Sequence, residues 1–427
     1  MSDSSEVDAL CSALIRIDTT NPGRDERPAA EYVATLLTDA GLEPVVLEAQ
    51  PGRANVVARI AGTNPARPAL LVHGHLDVVP ADAADWSIPP FAGEVDDEFV
   101  WGRGAIDMKG MCAMILAVVR AWSRAGVRPE RDIVLAFLAD EEVDCALGSH
   151  WLVDHHADLF GDCTEAIGEV GGFSYSLGSA RLYPVMTAEK GTSWLRLIAR
   201  GTPAHGSMVS DDNPVATLSE AITRLAAHRF PVHLTDSVRA FLAAASEAAG
   251  LRFGEEDVED TLRQLGPIAR VIAATVRNTA IPTVLAAGGS INVVPGIAEA
   301  FVDGRFLPGY EAEFHAELTE VLGPAVEITS VAHDIALETA FDGPLVDAMR
   351  AALVAHDPAA VVVPYMMSGG TDAKAFDRLG IRCFGFSPLL LPADLDFSAL
   401  FHGVDERVPR SGLRFGERVL DRFLRTS

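Results

Sequence analysis

The sequence predicts an α/β protein in which a layered mixed sheet is interrupted by a smaller domain of β-α-β-β-α-β order. Three observations carry this expectation. Through the first half of the chain, apolar segments of strand length alternate with segments of helical spacing. Beyond Thr187 the pattern changes to long strands that pair with one another. Finally, 427 residues with 49% hydrophobic and 22% charged side chains exceed the size of one ordinary core.

The elements follow in order. Residues 5–20 and 26–40 carry apolar positions at helical spacing, and Glu43–Glu48 and Asn55–Ile60 read as short strands. Ala69–Val72 is a strand of buried type, Gly110–Arg120 a helix, Ile133–Ala139 another strand, and His150–His155 the start of a further helix. Pro89-Pro90 and Gly102-Arg103-Gly104 are turn signals between them. The strand Ser193–Ala199 ends at Gly201-Thr202-Pro203 and is followed by a helix over Pro214–His228. Strands near Leu285–Ile291 and Ala298–Phe306, a helix over Glu311–Leu322 and a strand over Val326–Ile335 complete the split βαβ order. This places a second domain at 188–335, with an Ala-rich helical insert at about 235–275. Residues 1–187 and 336–427 then form one discontinuous domain.

Composition narrows the function. Sixty acidic side chains against 34 basic ones give a formal charge of −26, so a phosphate backbone or an anionic bilayer is repelled, and neither nucleic acid nor membrane is expected as a partner. The five cysteines are odd in number, far apart and never spaced C-x-x-C, which argues against a disulfide framework or a thiolate zinc site and for a reducing cytoplasm. The N-terminus has no basic region followed by an apolar run, and Met111–Val119 is about half a membrane span, so neither export nor anchoring is expected.

Seven residues draw attention by their company. His75 and Asp77 lie two apart after a strand, so both side chains leave one face and the carboxylate can fix the imidazole tautomer. Asp107 sits in a glycine-flanked loop opening a helix, where a plain capping role is the alternative. Glu141 and Glu142 are adjacent where a buried strand exits. Either they face solvent, or a cation offsets their repulsion. Glu169 follows another apolar run, at the strand end where α/β sheets collect ligands. His402 and His75 each lie beside a glycine, where a histidine taken alone is more often a hydrogen-bonded loop residue than a ligand. Apart from Asp77, they offer two imidazoles and four carboxylates, a set that suits zinc rather than calcium and two ions better than one. With Asp107 shared, Glu141 is left free to take a proton from bound water. There is no G-x-S-x-G elbow, and no cysteine sits in a nucleophile's context.

These segments resemble the di-zinc deacylase and carboxypeptidase family that includes acetylornithine deacetylase, succinyl-diaminopimelate desuccinylase, aminoacylase and glutamate carboxypeptidase. The resemblance rests on H-G-H-L-D at 73–77, G-R-G-A-I-D-M-K-G at 102–110, D-E-E at 140–142, I-G-E at 167–169, A-H-G-S at 204–207, N-V-V-P at 292–295, S-G-G-T-D-A at 368–373 and H-G-V-D-E at 402–406. It implies a zinc-peptidase catalytic domain with an inserted ferredoxin-like lid through which two copies dimerise. It implies that His75, Asp107 and Glu169 hold one zinc and Asp107, Glu142 and His402 the other, with cobalt or manganese able to substitute. Asp77 would orient His75, Glu141 would be the general base, and the Asp107–Met108 peptide would be cis. His205 would donate to the oxyanion, acting with Asn292 across the dimer, Arg305 would grip a substrate carboxylate, and Gly370 and Thr371 would contact substrate. The implied activity is hydrolysis of N-acyl-amino acids or short peptides with a free carboxylate, and a glutamate at 169 leans toward deacylases and carboxypeptidases. A dipeptidase or carboxypeptidase is the near alternative. A catalytically dead binding protein would lack Glu141 or a ligand, and a phosphoesterase would want more cations.

Overall fold

The computed structural model describes residues 5–178, 180–265 and 269–427. Its larger sheet runs, edge to edge, through the strands Val45–Gln50, Arg53–Ile60, Ile133–Leu138, Ala69–His75, Cys163–Gly168, Arg382–Gly385, Ala180–Glu189 and Leu337–Glu338, and Ala360–Met367 also pairs with Ala180–Glu189. The sheet is mixed. Ala69–His75 is parallel to both Ile133–Leu138 and Cys163–Gly168, whereas Arg53–Ile60 is antiparallel to Ile133–Leu138. Every residue of Ala69–His75 and of Ile133–Leu138 is buried, as expected of strands covered on both faces, which is why they read as continuous apolar runs.

Helices supply the cover. Lys109–Ala125 packs between Glu6–Ile15 and Arg410–Thr426 on one face, and its residues 109–119 are all buried. The apolar run at Met111–Val119 is therefore core, each large side chain contributing about 1.5–3 kcal/mol by leaving water. Among the described residues no helix is long and apolar enough to cross a membrane. The opposite face carries Ser149–His155, Asp236–Ala248 and Val258–Leu265.

From Glu189 the chain continues through Lys190 into Gly191–Arg200, a strand of a second, four-stranded antiparallel sheet ordered Thr279–Ala287, Ile297–Phe306, Gly191–Arg200, Glu327–Asp334. Helices Pro214–Ala227 and Glu311–Leu322 close a separate core of Leu195, Leu197, Leu218, Leu225, Phe314 and Leu318 over it. The helical segment that begins at Asp236 interrupts this unit in sequence but not in space. Val238, Phe241, Leu242 and Ala245 pack with Leu182, Met186 and Val363 of the larger sheet. The strand expected at Leu285–Ile291 instead occupies Thr279–Ala287, and Ile291 is fully exposed in the following turn. Pro282 hides its beginning, because an edge strand with a register shift beside that residue tolerates a missing N–H.

Candidate metal centre

Three neighbouring parallel strands end at one rim of the large sheet, and each delivers acids or imidazole there. Ala69–His75 brings His75 and Asp77, Ile133–Leu138 brings Glu141 and Glu142, and Cys163–Gly168 brings Glu169. Asp107 reaches the same rim from the loop before Lys109–Ala125, across a cis peptide to Met108, and His402 from a turn in which its own φ is +55°. All five expected ligands, and Glu141, therefore converge.

The geometry divides them into two sets around one carboxylate. His75 Nε2 lies 3.0 Å from Asp107 Oδ1 and 3.4 Å from Glu169 Oε2. On the other side, His402 Nε2 lies 3.3 Å from Asp107 Oδ2 and 3.1 Å from Glu142 Oε2. Within each set the ligand atoms lie inside 4.8 Å of one another, as donors around a single cation must. Glu141 belongs to neither set and stands 3.9 Å from His75 Nε2.

The Nδ1 side of His75 faces Asp77. Its Nδ1 donates to the main-chain oxygen of Asp77 at 3.0 Å, while the Asp77 carboxylate is 3.6 Å away. A carbonyl only accepts, so Nδ1 carries a proton, and Nε2 is the nitrogen turned to the acids, where a bound cation would take its lone pair. The Asp77 carboxylate instead accepts the amides of Glu141 and Glu142, both at 3.1 Å, and so sets the turn that presents them.

The electrostatics are those of a site built for positive charge. Burial pushes the Glu169 carboxyl up to about 8, with the Asp107 charge adding to it, and burial together with Glu169 lifts Glu141 well above its usual range. Bonds to Asp107 and Glu142 raise His402 to about 10. Burial draws His75 down, but Glu169, Asp107 and Asp77 override it and hold it well above the ordinary imidazole value. Burial likewise works against ionised Asp107, yet its two imidazole partners keep it far below the carboxylate range. Divalent cations would take over the role of these protons.

Several residues that build the site are given no role by the sequence alone. Glu406, fully buried, accepts the amides of Gly104, Ile106 and Asp107 at 3.1, 2.7 and 3.2 Å and pairs with Arg103 at 2.6 Å. Arg103 also donates to the carbonyl of His402, so one ion pair fastens both loops. Asn21 donates to Asp77 and Asp140, and Arg53 joins Asp140 to the buried Glu26. Asp140 itself has a φ of +68°, the sharp turn that precedes Glu141. Glu406, Arg103 and Asp140 lie within the H-G-V-D-E, G-R-G-A-I-D-M-K-G and D-E-E segments, which signal them without stating what they do, and Asn21 is marked by no more than an Asn-Pro turn at 21–22.

The centre opens into a cavity of about 670 Å³ lined on one side by Arg305, Thr192 and Trp194 of the small sheet. Arg305 is held by Asp303 at 2.7 Å and by the Thr192 hydroxyl at 2.9 Å, and its guanidinium lies 6.0 Å from the Trp194 ring centre. Gly370 and Thr371 also line the cavity, but the Thr371 hydroxyl and amide both donate to the buried Glu189, at 2.5 and 2.9 Å. His205 and Asn292 do not line it. They lie together on a two-stranded ribbon, where Gly206 donates to the Asn292 carbonyl and His205 is exposed. Because His205 Nδ1 accepts the Ser207 amide at 3.2 Å, its proton sits on Nε2, free to be donated.

Comparison with known proteins adds an independent line. Residues 71–426 match the model of peptidase family M20/M25/M40. Aminoacylase-1 of Sus scrofa is 28% identical over 418 residues, covering 93% of this chain and 89% of that protein. Probable carboxypeptidase S-like 2 of Dictyostelium discoideum is 27% identical over 362 residues, covering 79% of this chain and 68% of its own length. Among solved structures, the M20 family metallo-carboxypeptidase Sso-CP2 from Sulfolobus solfataricus superposes with a TM-score of 0.74 at 18% identity, with 99% of each chain covered.

Proposed function

The chain belongs to peptidase family M20/M25/M40 and is a metal-dependent hydrolase; from that premise we propose that it cleaves the amide bond of N-acyl-amino acids, using two zinc ions and Glu141 as general base. The observation that carries this reading is the division of the ligands by Asp107, whose two oxygens each face a separate imidazole and a separate glutamate. His75, Asp107 and Glu169 would hold one ion, and Asp107, Glu142 and His402 the other. Two imidazoles with three carboxylates suit zinc, and cobalt or manganese can substitute. When bound, such ions polarise the amide carbonyl and bring the pKa of water toward neutral.

The protein's own groups do the rest. Glu141, outside both ligand sets, accepts the proton of the attacking water and returns it to the departing amine. Arg305, pre-oriented by Asp303 and Thr192, receives the substrate carboxylate, and Gly370 and Thr371 form the adjoining wall. His205, carrying its proton on Nε2, stabilises the oxyanion together with Asn292. Neither lines the cavity of its own chain, which supports their acting across a homodimer. The edge strand Thr279–Ala287 and the turn after it expose Ile281, Leu285 and Ile291, an apolar margin that a second copy would cover. Five unpaired, buried cysteines support a reducing, cytoplasmic setting. The carboxypeptidase names of two similar proteins favour short peptides with a free carboxylate as the second substrate class.

The test is a screen of N-acetyl, N-succinyl and N-formyl amino acids and dipeptides with added zinc, cobalt or manganese, reading free amine. Glu141→Gln should bind the same amount of metal while turnover falls by about 10²–10⁴-fold. Unchanged turnover removes the base assignment, and release of amine from none of the panel removes the amide-hydrolase reading.

A further inference from the structure

The cavity is larger than an acetyl group and a small amino acid require, and the wall beside the metal centre is aromatic. Phe173 follows Glu169 by four residues and Phe401 directly precedes His402, so the wall is attached to ligand-bearing segments. Its rings brace one another. The Phe173 ring lies 5.6 Å from Tyr175 and 6.1 Å from Phe401, centre to centre, and Phe397 backs both phenylalanines at 5.0 and 5.3 Å. The Tyr175 hydroxyl lies 2.9 Å from Ser398 Oγ, so its polar tip is already engaged and the ring is what remains to meet a ligand.

Charge in the cavity points the same way. Among the described residues lining it, Arg305 is the sole guanidinium and Lys374 the sole ammonium. Lys374 is buried and committed, donating to the Lys190 carbonyl at 3.0 Å and standing 3.7 Å from the Asp334 carboxylate. The lining imidazoles His150 and His333 stand against Asp334 at 4.0 Å and Glu311 at 2.7 Å, so Arg305 is the cation placed for a substrate carboxylate, while any carboxylate set against the rings would lose its water without compensation.

We propose that the wall of Phe173, Tyr175 and Phe401 is a specificity surface that selects amides bearing a bulky, uncharged apolar group next to the scissile bond. This rests on the amide-hydrolase reading and adds the substrate class. The apolar group has two possible sources, the acyl chain or the amino-acid side chain, and the experiment separates them.

With zinc-loaded full-length protein, kcat/KM is measured for N-acetyl-, N-hexanoyl-, N-phenylacetyl- and N-succinyl-alanine, and in parallel for N-acetyl-phenylalanine. The expected result is a preference of about ten- to a hundredfold for an apolar group over N-acetyl-alanine, with succinyl the poorest acyl group. Preference within the acyl series assigns the wall to the acyl chain, and preference for phenylalanine over alanine assigns it to the side chain. Tyr175→Ala and Phe401→Ala should each reduce that ratio about tenfold, whereas Tyr175→Phe, which keeps the ring, should preserve it. If an alanine variant does not fold, the wild-type series decides alone. Cleavage of the panel without apolar preference, or with succinyl preferred, overturns this proposal and leaves the amide-hydrolase reading standing. Cleavage of none overturns both.

Discussion

Glu406 shows how much of a metal site lies outside its ligands. Its carboxylate satisfies three amides of the Asp107 loop and one guanidinium, all away from water. Glu406→Gln substitutes an amide donor for one of those acceptors and leaves Arg103 without its counter-charge. The expected loss is about 3–5 kcal/mol of stability and about 10–100-fold in metal affinity, read by denaturant unfolding and by metal titration. Wild-type metal affinity in a folded variant would remove the positioning role. The residues that converge on the candidate centre were legible in the sequence, because few side chains bind such cations and each stands at a strand exit or a glycine-marked turn. The roles of Glu406, Asn21 and Arg53 were not. Their partners are main-chain amides and residues far along the chain, and no local pattern records such contacts. The sequence likewise pairs His75 with Asp77 but does not show that the main-chain oxygen of Asp77 stands closer to Nδ1 than its carboxylate does, since spacing cannot tell the two apart.

Elements place these residues only if their ends approach closely. Gly168 closes the strand before Glu169, and a Cβ there would lie 2.2 Å from the His73 ring. His73 is wedged against Phe376, with ring centres 5.0 Å apart, so it has little room to yield. Gly168→Ala should therefore cost at least about 1–3 kcal/mol, seen as a lower Tm, together with weaker metal binding as Glu169 is displaced. An unchanged Tm would contradict the packing. At the junction of the two sheets, burial lifts the Glu189 carboxyl to about 7 from an ordinary 4.5, against the opposing pull of Lys374 and the Thr371 donors. Between those values the folded protein keeps a proton that the unfolded chain has released. The associated stability is complete below about pH 4.5 and declines as pH rises through about 7. Glu189→Gln should flatten that part of the stability profile, measured by unfolding at a series of pH values, and an unaltered slope would refute it. Most elements were legible to within a few residues because apolar spacing sets them. The strand at 279–287 was not, since Pro282 interrupts its signal, and neither was the placement of the 236–265 helices, whose apolar faces do not say which sheet they cover.

At the scale of the molecule, the separation between cavity and ribbon makes a subunit experiment decisive. If His205 serves a neighbouring copy, a mixed dimer of His205→Ala and Glu141→Gln subunits contains one centre with both lesions and one with neither. Free exchange of equal amounts should restore about a quarter of wild-type activity, as half the dimers would be mixed and half their sites intact. No recovery, with exchange verified by a size or tag shift, would place His205 within its own chain. The overall architecture was legible because strand and helix patterns alternate in the order that layered α/β proteins require. The convergence of the ligands followed from their shared position at the exits of parallel strands.

The ion pair that clasps the two loops also sets when the centre can exist. Arg103 and the His402 carbonyl it holds are separated by 299 positions, and Glu406 lies later still. A nascent chain carries His75, Asp107, Glu142 and Glu169 long before its last ligand is translated. The candidate centre is thus assembled only by contacts that join segments far apart in the sequence, the Arg103 contact to His402 alone spanning 299 positions.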